Sequence, residues 1–244
     1  MTRLFVQPEQ IQEDRVTVTG ADLKHIGSVL RMRPGEELTV SDGRGRAYFC
    51  RLLSIGQTEA ELQILREEAP HELPSRLVLF QGLPKSDKLE TIIQKAVELG
   101  ASSVVPVAMK RSIVKWDEKK AENRVKRYQA IARSAAEQSG RDLIPEVTDC
   151  VSFGEAVRMA EALDHLLVPY ESAEGIEESR ATLFQIRPGQ SAGIFIGPEG
   201  GFEESEIEAL KAAGGKVLTL GKRILRTETA GPAVLSILMF HLEL

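Results

Sequence analysis

Through the first third of the chain, apolar positions come in short stretches. Residues 4–6, 16–18, 38–40, 47–53 and 60–65 are each of β length and rich in branched or aromatic side chains. Asp42-Gly43-Arg44-Gly45 lies between two of them and reads as a hairpin turn. One helical pattern interrupts, over residues 21–30, with Leu23, Ile26, Val29 and Leu30 at helical spacing. Many short strands with a single helix predict a small β-barrel. Residues 66–75 carry two prolines and no periodic pattern, so a linker is expected there, dividing the chain into residues 1–72 and 73–244.

Beyond the linker the rhythm changes to alternating strand and helix. Residues 77–81 predict a strand. Ser86 is the expected cap of a helix whose Leu89, Ile92, Ile93, Ala96 and Val97 share one face, and Gly100 ends it. A strand over 104–107 and a long helix from about Asp117 to Ser139 follow. Then come a helix over 153–162, strands at 166–168 and 192–196, a helix over 203–213 and a strand at 217–220. A last helix runs over 232–242, with Pro232 expected in its first turn. Alternation of this kind predicts an α/β domain with a parallel sheet covered by helices.

Composition narrows the class. Of 244 residues, 42% are hydrophobic and 27% charged, with a net charge of -5, which excludes a mainly disordered chain. The longest apolar run, residues 233–240, is too short to cross a bilayer, and no secretory signal is visible at Met1. Cys50 and Cys150 are far apart and form no CxxC pair, and no His/Cys/Asp cluster suggests a metal; a reduced, cytoplasmic setting is expected. Charge is uneven. Residues 1–74 hold nine cations, eight of them Arg, and residues 110–133 hold nine cations against three acids. Such a block is either a solvated helix face or a surface that meets a polyanion.

Two segments carry chemistry. Ile194-Phe195-Ile196-Gly197-Pro198-Glu199-Gly200-Gly201 joins a buried strand to a helix, where glycines allow close backbone approach and the helix start favours an anionic group. It is neither a Walker loop nor GxGxxG, and a ligand-free tight turn is the other reading. Leu218-Thr219-Leu220-Gly221-Lys222-Arg223-Ile224-Leu225-Arg226-Thr227-Glu228-Thr229-Ala230 also joins a strand to a helix. It packs three cations, a carboxylate and several threonines around an apolar pair, more functional groups than a structural loop needs.

These paired segments resemble the hallmark of the 16S ribosomal RNA (uracil-1498 N3)-methyltransferases, a family of the SPOUT, or α/β-knot, superfamily. Colinear matches span nearly the whole chain: Arg3-Leu4-Phe5-Val6, His25 with Val29-Leu30-Arg31, Asp42-Gly43-Arg44-Gly45, Lys85 and Lys88, Gln94 to Gly100, Arg111-Ser112, Ala136 to Arg141, and Pro145. Glu203 departs from the pattern, standing where many members carry a small capping hydroxyl. The resemblance implies a PUA-like RNA-binding barrel followed by a trefoil-knotted domain in which the chain after Leu220 passes through a preceding loop. It implies S-adenosylmethionine held by Ile196, Gly197, Pro198, Glu199, Gly200, Gly201, Leu218, Leu220, Gly221, Ile224 and Leu225. It also implies a homodimer acting on the small ribosomal subunit, and the apolar circumference of residues 233–244 agrees with a helix buried on several sides, in one subunit or between two.

Methylation of a uracil N3 requires loss of the imide proton. Glu228 is the first candidate acceptor and Glu199 the second. Arg226 and Arg223 are candidates to stabilise charge on the flanking carbonyls. Glu228 also reads simply as a partner of Arg226, and Glu199 as a helix cap. Arg3, His25, Arg31, Arg44 and Arg46 on the barrel, and Lys95, Arg111, Arg127, Arg133 and Arg141 on the second domain, are the expected RNA contacts. N3 lies on the Watson–Crick edge, so the base must be unpaired or extruded. Two other functions fit the same residues: a non-catalytic RNA-binding or assembly protein with a relic cofactor pocket, or a knot-fold enzyme modifying ribose or another base.

Overall fold

The computed structural model describes residues 3–116 and 118–243; Met1, Thr2, Asp117, Leu244 and the side chains of Glu118, Lys119 and Lys120 lie outside the described residues. The chain forms two compact units, Met1–Glu72 with Ala136–Ile144, and Leu73–Ala135 with Pro145–Leu244.

The first unit is built on β1 (Arg3–Phe5), β2 (Ile11–Gln12), β3 (Arg15–Thr19), a short α1 (Gly20–Lys24), β4 (Glu37–Ser41), β5 (Ala47–Ile55) and β6 (Glu59–Glu68). One six-stranded sheet runs β1-β4-β5-β6-β3-β2, parallel between β1 and β4 and otherwise antiparallel. Irregularities at Phe49/Cys50 and Leu52/Ser54 interrupt the β5–β6 ladder, which bends a sheet and raises its twist. Its inner face buries Leu4, Val16, Val18, Leu38, Val40, Leu52 and Leu62. The predicted hairpin turn joins β4 to β5: Asp42 Oδ1 accepts the Arg44 and Arg46 amides at 2.8 and 3.1 Å. The helical pattern over 21–30 resolves differently from expectation. α1 stops at Lys24 and a π-helical turn takes His25–Val29, leaving Val29 exposed and Arg31 at φ 53°.

Ala136–Ile144 clusters with this unit because its polar groups are satisfied there. The Glu72 carboxylate accepts from the Arg141 guanidinium and from the Asp142 and Leu143 amides at 2.8 and 3.0 Å. Ser41 donates to the Asp142 carbonyl at 2.7 Å, and the buried Asp142 carboxylate pairs with Arg3 and accepts the His71 amide.

The second unit is a seven-stranded, wholly parallel sheet. In chain order it contains β7 (Arg76–Gly82), α2 (Lys88–Glu98), β8 (Ser103–Ala108), α3 (Glu118–Ser139, its last turn grouped with the first unit), β9 (Glu146–Val147), β10 (Val151–Ser152) and α4 (Phe153–Ala160). Then follow β11 (His165–Pro169), α5 (Ile176–Phe184), β12 (Ser191–Ile196), α6 (Glu204–Ala212), β13 (Lys216–Leu218) and α7 (Thr227–Leu242). The order is β10-β8-β7-β12-β11-β13, with β9 beside β8. Central strands buried on both faces read as continuous apolar runs, and Phe80 of β7 stacks on Phe195 of β12 with ring centroids 4.5 Å apart.

Three expectations about this unit change. Ser86 does not cap α2: it lies at φ 55°, and Asp87 is the N-cap with no side-chain hydrogen bond. α5 was not predicted, because Ile176–Phe184 has weak amphipathic character and follows a glycine N-cap. α7 begins at Thr227 rather than Pro232, so the proline sits inside the helix, one turn beyond the start. No helix among the described residues is long and apolar enough to cross a membrane.

Candidate functional site

Three strands of the parallel sheet end side by side, and the loops that leave them enclose one cavity of about 500 Å³. After β12 come Gly197–Gly201, after β11 comes the Tyr170-Glu171 turn, and after β13 comes the 219–226 segment. Loops at the carboxyl ends of parallel strands are where α/β sheets bind ligands. Ile196, Gly197, Pro198, Glu199, Gly200, Gly201, Leu220, Gly221, Ile224 and Leu225 all line the cavity, as do Arg223 and Arg226. Leu218 does not: it is fully buried, and its carbonyl accepts the Tyr170 amide at 3.0 Å. Ile224 stands 85% exposed at the rim.

The glycine turn is held from several sides. Gly201 lies at φ 68°, a conformation that glycine adopts without steric cost. A Cβ on Gly82, at the end of β7, would lie 2.7 Å from the Pro198 ring, so that glycine admits the turn. Arg111 donates to the Gly200 carbonyl at 2.9 Å and to Glu203 at 2.7 Å. Glu203 needs no hydroxyl to start α6, since the buried Glu206 accepts the Glu203 amide at 2.9 Å and the Lys110 amide at 2.9 Å.

A second set of contacts ties the glycine turn to the start of α7. The fully buried Gln81 donates from Nε2 to the Gly82 carbonyl and to Thr227 Oγ1, both at 2.9 Å. The Thr227 hydroxyl in turn donates to the Gly197 carbonyl at 2.7 Å. Because Gly82 O can only accept, the amide orientation of Gln81 is fixed by its own neighbours.

Lys88, the first residue of α2, forms part of the cavity wall. Its Nζ lies 3.0 Å from Glu199 Oε1 and 3.1 Å from Glu228 Oε2, and Glu199 also accepts the Lys85 amide at 3.1 Å. Glu228 is not among the cavity-lining residues; Lys88, which is, connects it to the wall. Arg226 Nη1 stands 4.0 Å from Glu228 Oε1, with its side chain largely in solvent. Pairing with Glu199 and then with Glu228 pushes the Lys88 ammonium above its ordinary value. Glu228 is held below the usual carboxylate range, first by its own backbone N–H, against burial, and then by Lys88. Burial is the largest single influence on Glu199 and raises it, but its own N–H, Lys88 and the Lys85 amide together bring it below the usual range.

The expected RNA cations sort into three groups. Arg141 is buried and Arg3 half-buried, paired with Glu72 and Asp142 inside the first unit, so their guanidinium groups are already engaged. Arg46 pairs with Glu67 at 3.1 Å, Lys95 with Glu98 at 2.8 Å, Arg111 with Glu203, and Arg127 with Glu90. His25, Arg31 and Arg44 are exposed, and Arg133 is half-buried. Sequence reasoning missed Lys88, Gln81 and Thr227 as members of the site. A lysine opening a helix, where the dipole disfavours cations, was a readable signal for the first; the other two are revealed only by the strand neighbours that fold brings together.

A cavity of this size takes a nucleoside-sized ligand. Its glycine turns expose backbone amides and carbonyls, and Ile224 and Leu225 offer apolar surface for an aromatic ring, so the residues present fit S-adenosylmethionine. Among the described residues no group of three or more His, Cys, Asp or Glu side chains is placed to hold a metal ion.

The class that this fold and site define is the RNA methyltransferases. The RNA methyltransferase domain family matches residues 71–239, and its PUA domain family matches residues 18–65. Ribosomal RNA small subunit methyltransferase E of Bacillus subtilis is 38% identical over 100% of this chain and 98% of its own length. A crystal structure of the enzyme of that name from Neisseria gonorrhoeae, bound to S-adenosylmethionine, is 35% identical with a TM-score of 0.79, covering 97% of this chain and 95% of that one. A solved structure described only as a hypothetical protein is 37% identical, with a TM-score of 0.90 and 99% coverage of both chains. The chain belongs to the ribosomal RNA small subunit methyltransferase E family.

Proposed function

We propose that the protein transfers a methyl group from S-adenosylmethionine to N3 of uridine 1498 in the 16S RNA of the small ribosomal subunit. The observation that carries this reading is the cavity formed by Gly197–Gly201 and the 219–226 segment, in a chain alike from end to end to enzymes of that name. S-adenosylmethionine, when bound, supplies an electrophilic methyl group. Gly197, Pro198, Gly200, Gly201, Leu220 and Gly221 present backbone groups to it, and Ile196, Ile224 and Leu225 pack on its base; Leu218 supports the loop from below. Glu199, which lines the cavity and is charged near neutral pH, is the proton-accepting carboxylate, Glu228 holds Lys88 from behind the wall, and Arg226 and Arg223 at the rim favour negative charge on the uracil carbonyls.

His25, Arg31 and Arg44 on the first unit, and Arg133 with the ion-paired Arg111, Arg127 and Lys95 on the second, are the surfaces assigned to RNA. Arg46 joins them if phosphate displaces Glu67. The protein acts in the cytoplasm as a homodimer, a reading supported by Phe240 and Phe184, which α7 and α5 leave exposed. Knotted threading of the chain after Leu220 belongs to the same reading: β13 ends at the sheet edge, and α7 then packs back on central β12 and β7.

The test is transfer of labelled methyl to small subunits lacking the modification, with the product nucleoside identified by mass spectrometry. Recovery of 3-methyluridine at one position is expected. A ribose-methylated or C5-methylated product would replace this reading with another methylation, and cofactor binding without transfer to any RNA would favour an assembly role.

A further inference from the structure

The backbone that delivers Lys88 to the cavity breaks three local rules at once. Ser86, two residues before it, lies at φ 55°, in the left-handed region that a serine pays to occupy. Asp87 caps α2 without making a side-chain hydrogen bond. Lys88 itself is a cation in the first turn, at the positive end of the helix dipole. Local costs that converge on one side chain mark a functional constraint. What they secure is an ammonium in the cavity wall with two carboxylate partners, Glu199 from the glycine turn and Glu228 from the first turn of α7.

An ammonium has three N–H donors. Glu199 and Glu228 engage two, and they hold the group in its charged form. Lys88 therefore cannot serve as a base. The third donor remains for a ligand in the cavity. Arg223 and Arg226 carry the same charge, but both are exposed, where solvent screens them. A pre-oriented donor of this kind does most where negative charge develops in a reaction.

Resting on the proposed methylation, we infer that Lys88 is a catalytic residue: its ammonium, fixed between Glu199 and Glu228, donates a hydrogen bond to a uracil carbonyl oxygen and stabilises the charge that appears as N3 gives up its proton. In that step the N3 proton passes to a carboxylate of the site. The N3 electron pair forms the bond to the methyl carbon, and the pair of the broken carbon–sulfur bond stays on sulfur. Lys88 neither gains nor loses a proton.

The test compares wild type, Lys88→Met and Lys88→Arg on small subunits carrying either uridine or 5-fluorouridine at the target position. Fluorine makes N3–H more acidic, so less stabilisation of the anion is needed. Lys88→Met should lower kcat on uridine by about 10²–10³-fold. With 5-fluorouridine most of that loss should be recovered, and Lys88→Arg should keep more of the rate than Lys88→Met. S-adenosylmethionine Kd, measured by calorimetry, should change by less than about threefold. A loss equal on both substrates, or a rise in Kd matching the loss in rate, would overturn the inference and leave Lys88 a structural tie. Lys88→Gln replaces Lys88→Met if circular dichroism shows the latter unfolded. Absence of transfer by the wild type would overturn the proposed function and this inference together, whereas wild-type transfer with an unselective loss overturns the inference alone.

Discussion

Thr227 shows how much one hydroxyl settles in this site. It accepts from Gln81 and donates to Gly197, so the start of α7 and the glycine turn are set by the same atom. Glu228, the next residue, and its Glu199–Lys88–Glu228 cluster make a pH prediction. Both carboxylates are held below their ordinary range. A carboxylate depressed in the folded state adds stability that is present above its unfolded pKa, about 4.3 for Glu, and is lost as pH falls through the lower folded value. The thermal midpoint of wild type should therefore exceed that of Glu228→Gln at pH 7, and the gap should shrink between pH 5 and pH 3. A gap independent of pH would mean that the charge of Glu228 contributes nothing to the fold. At this scale the sequence reading named the loop residues but not their grouping. Glu228 was legible as a carboxylate in a functional loop; that a lysine from α2, 140 positions earlier, would separate it from the cavity was not, because no local pattern encodes a long-range ion pair.

Elements were legible where periodicity was strong. α2 follows its apolar spacing, and β7 and β12 follow their apolar runs. α5 was invisible because its apolar residues do not gather on one face, and the start of α7 was misplaced because proline was assumed to open the helix. The extra turn matters, since it puts Thr227 and Glu228 on a helix instead of a loop. α7 also makes a prediction. It buries Val234, Leu235 and Leu238 against its own unit yet leaves Phe240 85% exposed; Phe184 of α5 is exposed too and packs on the His241 ring with centroids 5.0 Å apart. If this face is covered by a second copy, Phe240→Glu should shift the protein from dimer to monomer in sedimentation, with little change in secondary structure. An unchanged sedimentation coefficient would mean that Phe240 takes no part in self-association.

For the whole molecule, the change from β-hairpin rhythm to strand–helix alternation foretold two architectures, but a linear reading assigns each residue to one side of a single boundary. The first compact unit is not a contiguous piece of chain. Ala136–Ile144 returns to it, and it does so with Arg141 and Asp142, which are buried. Arg141, expected from the sequence to meet RNA, instead has its bidentate partner in Glu72, 69 positions away, a pairing that no local pattern encodes. Dissection of the protein by the usual route, cutting once at the linker, would be misleading in both directions. A fragment of residues 1–72 would keep Ser41, Glu72 and Arg3 while losing their partners in Arg141–Leu143, hydrogen bonds each worth about 0.5–1.5 kcal/mol net. Such a fragment should unfold at lower denaturant than the corresponding transition of the intact chain, and a synthetic peptide of residues 136–144 should bind it and restore part of the difference. RNA affinity measured on the fragment alone would then report on a damaged barrel, and a weak value would say little about how the intact enzyme holds its substrate.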